Sequence, residues 1–164
     1  MRLPAELTQA IHGALMRRVA MRRPPDFVIG GHERPYLLRW YVIPRNRWFN
    51  VYLHHFRRSD DDRALHSHPW LFNASLLLDG CYIEHTAAGP KFSDRGDWRF
   101  RWGASFHRVQ LLRSLVLGKE FAAWTLFITG PKVREWGFAC PKGWRHWREF
   151  TSPHDGGSIG RGCE

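Results

Sequence analysis

The reading of this chain turns on residues 60–80, DDDRALHSHPWLFNASLLLDG, and on residues 96–111, GDWRFRWGASFHRVQL. In His66-Ser67-His68 two imidazoles stand at positions i and i+2. On a strand such residues project from one face, roughly 6–7 Å apart along the chain. Two rings so placed can converge on one ion at metal–nitrogen distances of about 2.0–2.1 Å. A third ligand has to come from another strand, and His107 opens the run HRVQL just after Trp102-Gly103-Ala104-Ser105.

Outward from these segments the chain is a series of short strands separated by turns. Strands are predicted at Tyr36–Ile43, Trp48–Phe56, Phe72–Leu78, Cys81–His85, Trp98–Trp102, His107–Leu112, Phe121–Thr129, Glu135–Cys140 and Trp147–Phe150. Asp79-Gly80 between two apolar runs predicts a tight hairpin, because Gly tolerates the positive φ such a turn needs. Ahead of the strands, Leu7, Ile11, Leu15 and Val19 recur at i+4 and predict an amphipathic helix over residues 5–22, ended by Pro24-Pro25. Many evenly spaced strands without intervening helices predict an all-β sandwich, jelly roll or small barrel. The expected organisation is a helical extension (1–35), a β-barrel (36–150) and a polar, Gly-rich, disordered tail (151–164).

The two segments resemble the paired motifs of the cupin superfamily. The first motif reads G, five residues, H-x-H, three or four residues, E, six residues, G. Here Asp60 occupies the first Gly slot, His66 and His68 match, Asn73 stands in the Glu slot and Gly80 is in register. In the second motif Gly96 and His107 match, while Trp102, Ala104 and Leu111 replace the family's Pro, Gly and Asn. The overall look is similar to compact cupins carried by bacterial viruses and their hosts. The resemblance implies a double-stranded β-helix (jelly-roll barrel) and a divalent transition metal held by His66, His68 and His107. With Asn73 in place of Glu, the implied site is a three-histidine one, similar to the thiol dioxygenase branch. Fe(II) is the implied ion, with Zn, Mn or Ni as alternatives, and a metal-free, ligand-binding barrel is the competing expectation. The resemblance also implies dioxygenase-like oxidoreductase chemistry on a small anionic substrate, and pairing as a homodimer, as cupins often do. A metal-independent sugar-nucleotide epimerase of the cupin type is a further alternative.

Composition narrows the partners. The 164 residues carry 25 Lys+Arg against 15 Asp+Glu, a formal charge of +10, and only four of the basic residues are Lys. Such a surface favours encounters with anions, whether metabolites, nucleic acid or acidic proteins. A nucleic-acid partner ranks below a small anion, because no zinc-finger, RNP-type or helix-turn-helix signature accompanies the charge. No apolar run approaches the ~20 residues of a membrane span. Cys81, Cys140 and Cys163 are too few and too scattered for a disulfide scaffold, which predicts a reducing, cytoplasmic setting and a buried Cys140 thiol.

Several further residues are candidates for chemistry. On the strand carrying His54-His55, alternation puts one imidazole inside the barrel, and His55 is taken as the candidate base. Glu84 is a candidate acid or base, and Tyr82, alternating with large apolar residues, is a further catalytic candidate. Arg39 and Arg101 alternate with large apolar residues. An inward-facing Arg is costly unless a carboxylate or an acidic substrate pairs with it, so either would be informative inside.

Overall fold

In a computed structural model the chain is described over residues 1–60, 64–152 and 160–164. Helix α1 spans Ala5–Leu15 and continues as a π-helical turn over Met16–Ala20. The strands are β1 Phe27–Ile29, β2 Leu37–Tyr41, β3 Asn50–Phe56, β4 Leu65–His66, β5 Phe72–Asp79, β6 Tyr82–Thr86, β7 Gly89–Ser93, β8 Trp98–Trp102, β9 His107–Leu111, β10 Ala123–Thr129, β11 Gly137–Cys140 and β12 Gly143–His146. A single helical turn, α2 Trp147–Phe150, follows. They form two six-stranded antiparallel sheets, ordered β1-β2-β3-β10-β5-β8 and β12-β11-β4-β9-β6-β7.

The period-2 patterns set up two apolar cores. Leu37, Phe56, Leu77, Tyr82, Val109, Leu111 and Ala123 meet between the sheets. On the outer face of the first sheet Leu53, Leu76, Leu78 and Trp40 pack under Val19, Leu15 and Ile11 of the helical segment. The predicted stripe is thus the docking face of the helix, apart from Leu7, which is exposed. Trp40 Nε1 donates to the Arg23 carbonyl at 3.0 Å, fastening the chain that leaves the helix.

Three expectations are corrected. Asp79-Gly80 is a turn with Gly80 at φ +80°, but it crosses between the sheets rather than closing a hairpin, since β5 and β6 lie in different ones. Gly is needed there for a second reason: a Cβ would stand 2.5 Å from the Ala122 carbonyl oxygen. Trp147–Phe150 is a helical turn, not a strand, with the His146 side chain accepting from the Arg148 N–H at its start. Cys140 is not a free thiol: it is disulfide-bonded to Cys163, which removes the cysteine argument for a reducing compartment. At the C-terminal end the N–H groups of Gly160 and Gly162 donate to the Phe150 carbonyl at 2.9 and 3.1 Å. The rest of the predicted tail, 153–159, lies outside the described residues, as do 61–63 of the Asp60–Arg63 loop. Among the described residues no helix is long and apolar enough to cross a membrane.

Candidate metal centre

His66 ends β4, His107 begins β9, and the two are direct partners across the sheet. His68 lies two residues beyond His66, past the fully buried Ser67. Ser67 N donates to the Gly137 carbonyl at 2.9 Å and His68 N to the Gly103 carbonyl at 3.0 Å. Those bonds lock the H-x-H backbone between the two sheets, so both rings point the same way. Gly103 is essential to that lock, because a Cβ there would lie 1.6 Å from the Trp70 carbonyl oxygen.

One donor nitrogen from each of the three rings lies within 4.8 Å of the other two. The Nε2 atoms of His68 and His107 are 2.7 Å apart. Three nitrogens around one ion at about 2.1 Å stand roughly 3.0–3.4 Å from each other, so small ring rotations suffice. Burial lowers the basicity of all three: His66 to about 4, His107 below its ordinary value and His68 well below it. All three are therefore neutral near pH 7, the form that ligates.

Glu84 supports the cluster from behind. Its Oε1 lies 2.8 Å from Nδ1 of His107, short in distance although bent from ideal hydrogen-bond alignment, and accepts from Nε of Arg101. Arg101 Nη1 also donates to Ser75 Oγ at 3.1 Å. Burial alone would raise the Glu84 carboxyl, but His107 and Arg101 together hold it at about 2. Glu84 is therefore held as a carboxylate near neutral pH, which favours the proton on His107 Nδ1 and leaves Nε2 facing the cluster. Tyr82, on the same face of β6, is buried, with Ser75 and Arg101 beside its hydroxyl and its pKa pushed up.

His55 is placed away from the site. Its ring stacks on Trp124 at 3.9 Å on the face covered by the helix, and His54 is the inward histidine. Arg39 is the other inward cation, its Nε donating to His54 Nε2 at 2.9 Å. Asn73, in the slot where Glu was expected, is fully buried with both amide atoms unpartnered, in register with Arg101 and Thr129. A buried amide without partners is costly, and a bound ion, water or ligand would satisfy it. The set of three imidazole donors fits a divalent transition ion.

Sequence reasoning reached the three imidazoles but not their support. Gly103 carries a weak signal, lying in the motif region, and Asp60, which stands in a Gly slot of the motif, accepts at Oδ2 from Val109 N at 2.7 Å. Asp60 also acts electrostatically on His66 and His107.

The barrel aligns with a crystal structure of a DMSP lyase from Ruegeria pomeroyi over 81% of this chain and 78% of that one, at a TM-score of 0.52 and 13% identity. The fold is the cupin double-stranded β-helix. A protein with a double-stranded β-helix domain from Klebsiella pneumoniae aligns over 71% of this chain and 88% of its own, at TM-score 0.49 and 14% identity. A cupin superfamily protein from Desulfitobacterium hafniense aligns over 58% and 77%, at 0.45 and 12%. No family model and no curated protein matches the sequence. At such identities the likeness carries the cupin fold alone.

Proposed function

We propose that this protein is a divalent-metal-dependent cupin enzyme acting on a small anionic molecule, with Fe(II) and dioxygen as the chemistry the site suits best. The observation that carries the reading is the convergence of three neutral imidazoles, His66, His68 and His107, inside the barrel. Bound there, Fe(II) would supply one-electron chemistry with dioxygen, and any divalent ion would supply Lewis acidity. Three neutral ligands leave the ion's charge uncompensated, and Arg39 adds to it, so an anion is the natural guest. Glu84 holds the His107 ring in its ligating tautomer, and Arg101 holds Glu84. Tyr82 keeps its proton at neutral pH and presents a neutral donor to the interior.

Elemental analysis of the full chain tests the metal. About one equivalent per chain is expected, falling below a tenth in His66→Ala and unchanged in His55→Ala. An empty wild type after loading and desalting would overturn the reading. An oxygen electrode with Fe(II)-loaded protein and a panel of small carboxylates and thiols separates the oxidative chemistry from a non-redox, isomerase-type one, which would turn over without oxygen uptake.

A further inference from the structure

The register Asn50↔Thr129, Thr129↔Asn73 and Asn73↔Arg101 brings four connections to one end of the first sheet. They are the β2–β3 turn, the β10–β11 loop, the chain entering β5 and the chain leaving β8. Backbone bonds sew them together: Leu71 N donates to the Pro131 carbonyl, Gly130 N to the Phe72 carbonyl and Gly103 N to the Leu71 carbonyl, each at 2.9 Å. The β2–β3 turn is equally fixed. Asn46 Oδ1 accepts from the N–H groups of Trp48 and Phe49 at 2.9 and 3.0 Å, and the Asn50 side chain exchanges two bonds with the Asn46 backbone. Built as it is, this end still leaves large rings in solvent: Trp48 is 64% exposed, Trp102 60% and Phe49 49%. Across residues 44–50, 69–73, 102–106 and 130–136 the one acidic side chain is Glu135, which is paired with Lys132 and His146. Among the described residues Arg45, Arg47 and Arg134 have no acidic partner.

Two of these arginines lie over rings instead of meeting carboxylates. The Arg47 guanidinium carbon is 4.6 Å from the Trp48 centroid, and that of Arg45 is 5.4 Å from the Tyr41 centroid. Each pair couples a π surface to a fixed positive charge. Trp102 stands on the far side of this end, with Phe100 edge-on to it at 5.3 Å. Its strand, β8, is separated from β3 by β10 and β5, three strand spacings or roughly 14 Å. We propose that this end of the barrel binds single-stranded nucleic acid, with bases stacked on Trp48 and Trp102 and phosphates met by Arg45, Arg47 and Arg134. Stacking on a side chain needs bases whose faces are free, which a single strand offers and a duplex does not. A second copy of this chain would set like charges against one another. A bilayer calls for a continuous apolar face, and here Arg45 and Arg47 interrupt the rings. The inference goes beyond the metal-enzyme reading and does not rest on it, since no imidazole of the cluster takes part.

The experiment is fluorescence anisotropy of a labelled oligothymidylate of about 20 nucleotides, titrated with the metal-free full chain. Binding that weakens steeply with salt is expected. A duplex of the same length, and an abasic strand that keeps the phosphates without the bases, should each bind at least about fivefold more weakly. Trp48→Ala and Trp102→Ala alter exposed positions, so each should keep the wild-type melt while losing roughly 5–150-fold in affinity. Arg45→Ala and Arg47→Ala together should lower the slope of log affinity against log salt by about 1.4, a readout that a purely structural role would not move. Phe92→Ala, which removes an exposed ring on β7 of the other sheet, should bind as the wild type does. No binding at low salt overturns the proposal, as does a loss of less than about fivefold in either tryptophan variant, for the abasic strand or for the duplex. An equal loss in Phe92→Ala, or an unchanged salt slope in the arginine variant, also counts against it. Phosphatidylcholine–phosphatidylserine vesicles and sedimentation of the chain alone are run alongside. Vesicle adsorption or self-association that is lost in Trp48→Ala, without oligothymidylate binding, would assign this face to a membrane or to a second copy instead.

Discussion

Oε1 of Glu84 lies 2.8 Å from Nδ1 of His107, on the opposite side of the ring from the Nε2 atom that approaches His68. One carboxylate thus links a candidate ligand to Arg101, across the gap between β6 and β8. Glu84→Gln removes the charge while keeping the shape. It is expected to weaken zinc binding by about 10–100-fold, because the second-shell anchor of His107 is lost. The unpaired Arg101 should cost about 3 kcal/mol of stability. A competitive zinc titration and a denaturant melt check the two effects separately, and wild-type zinc affinity in the variant would rule out the anchoring role.

Acid should loosen the helix-covered face before it reaches the carboxylates. His55, stacked on Trp124, has its pKa lowered from 6.5 to about 4, chiefly by burial and then by Arg57 and His12. Between those two values the unfolded chain binds more protons than the folded one, so stability rises with pH and is lost on acidification through that window. Discounted for partial exposure, His55 contributes about 1–2 kcal/mol of this slope. Melting temperatures across the window should fall towards acid in the wild type and fall less in His55→Phe. Equal slopes would remove His55 as the source.

Gly103→Ala tests the lock on the H-x-H segment. The added Cβ collides with the Trp70 carbonyl, which is backbone and cannot swing aside. A loss of ~3 kcal/mol is expected, together with loss of zinc binding in whatever fraction still folds. Far-ultraviolet circular dichroism and bound zinc measure both, and an unchanged melt would mean that the turn relaxes at little cost.

The Cys140–Cys163 bond closes a loop of sequence separation 23, for which chain entropy gives about 3 kcal/mol. Reduction, or the Cys140→Ser variant, is expected to lower the melting temperature by roughly 5–10 °C. It should also expose the C-terminal residues to protease while leaving the barrel folded. Free thiols at both positions in protein purified without reductant would count against the pairing.

The fold was legible in the sequence wherever periodicity is a local matter. Trp98–Trp102 is observed at the predicted bounds, and the strands at 37–41, 50–56, 72–79 and 107–111 fall within two residues of prediction. β7 escaped because Gly89-Pro90 reads as a turn, and β12 because Pro141-Lys142-Gly143 does the same for its first residue. The three imidazoles were legible because their spacing follows the pleat and the motif register. The choice between His54 and His55 was not. Alternation establishes that they face opposite ways, and the helix lying over one sheet face decides which is inside. Glu84 was visible as a carboxylate, but its role depends on Arg101, a partner from a strand in the other sheet.

Strand β4 is only two residues long, and His66 facing His107 is its one register pair with β9. Among the described residues that pair is the one ladder rung between two three-stranded flaps, with Asp60 bonded to Val109 beside it. An ion gripped by the imidazoles on both sides of that rung would rivet the flaps together. Calorimetry of the bare and loaded chains would then reveal occupancy as added mechanical integrity, before any substrate is known.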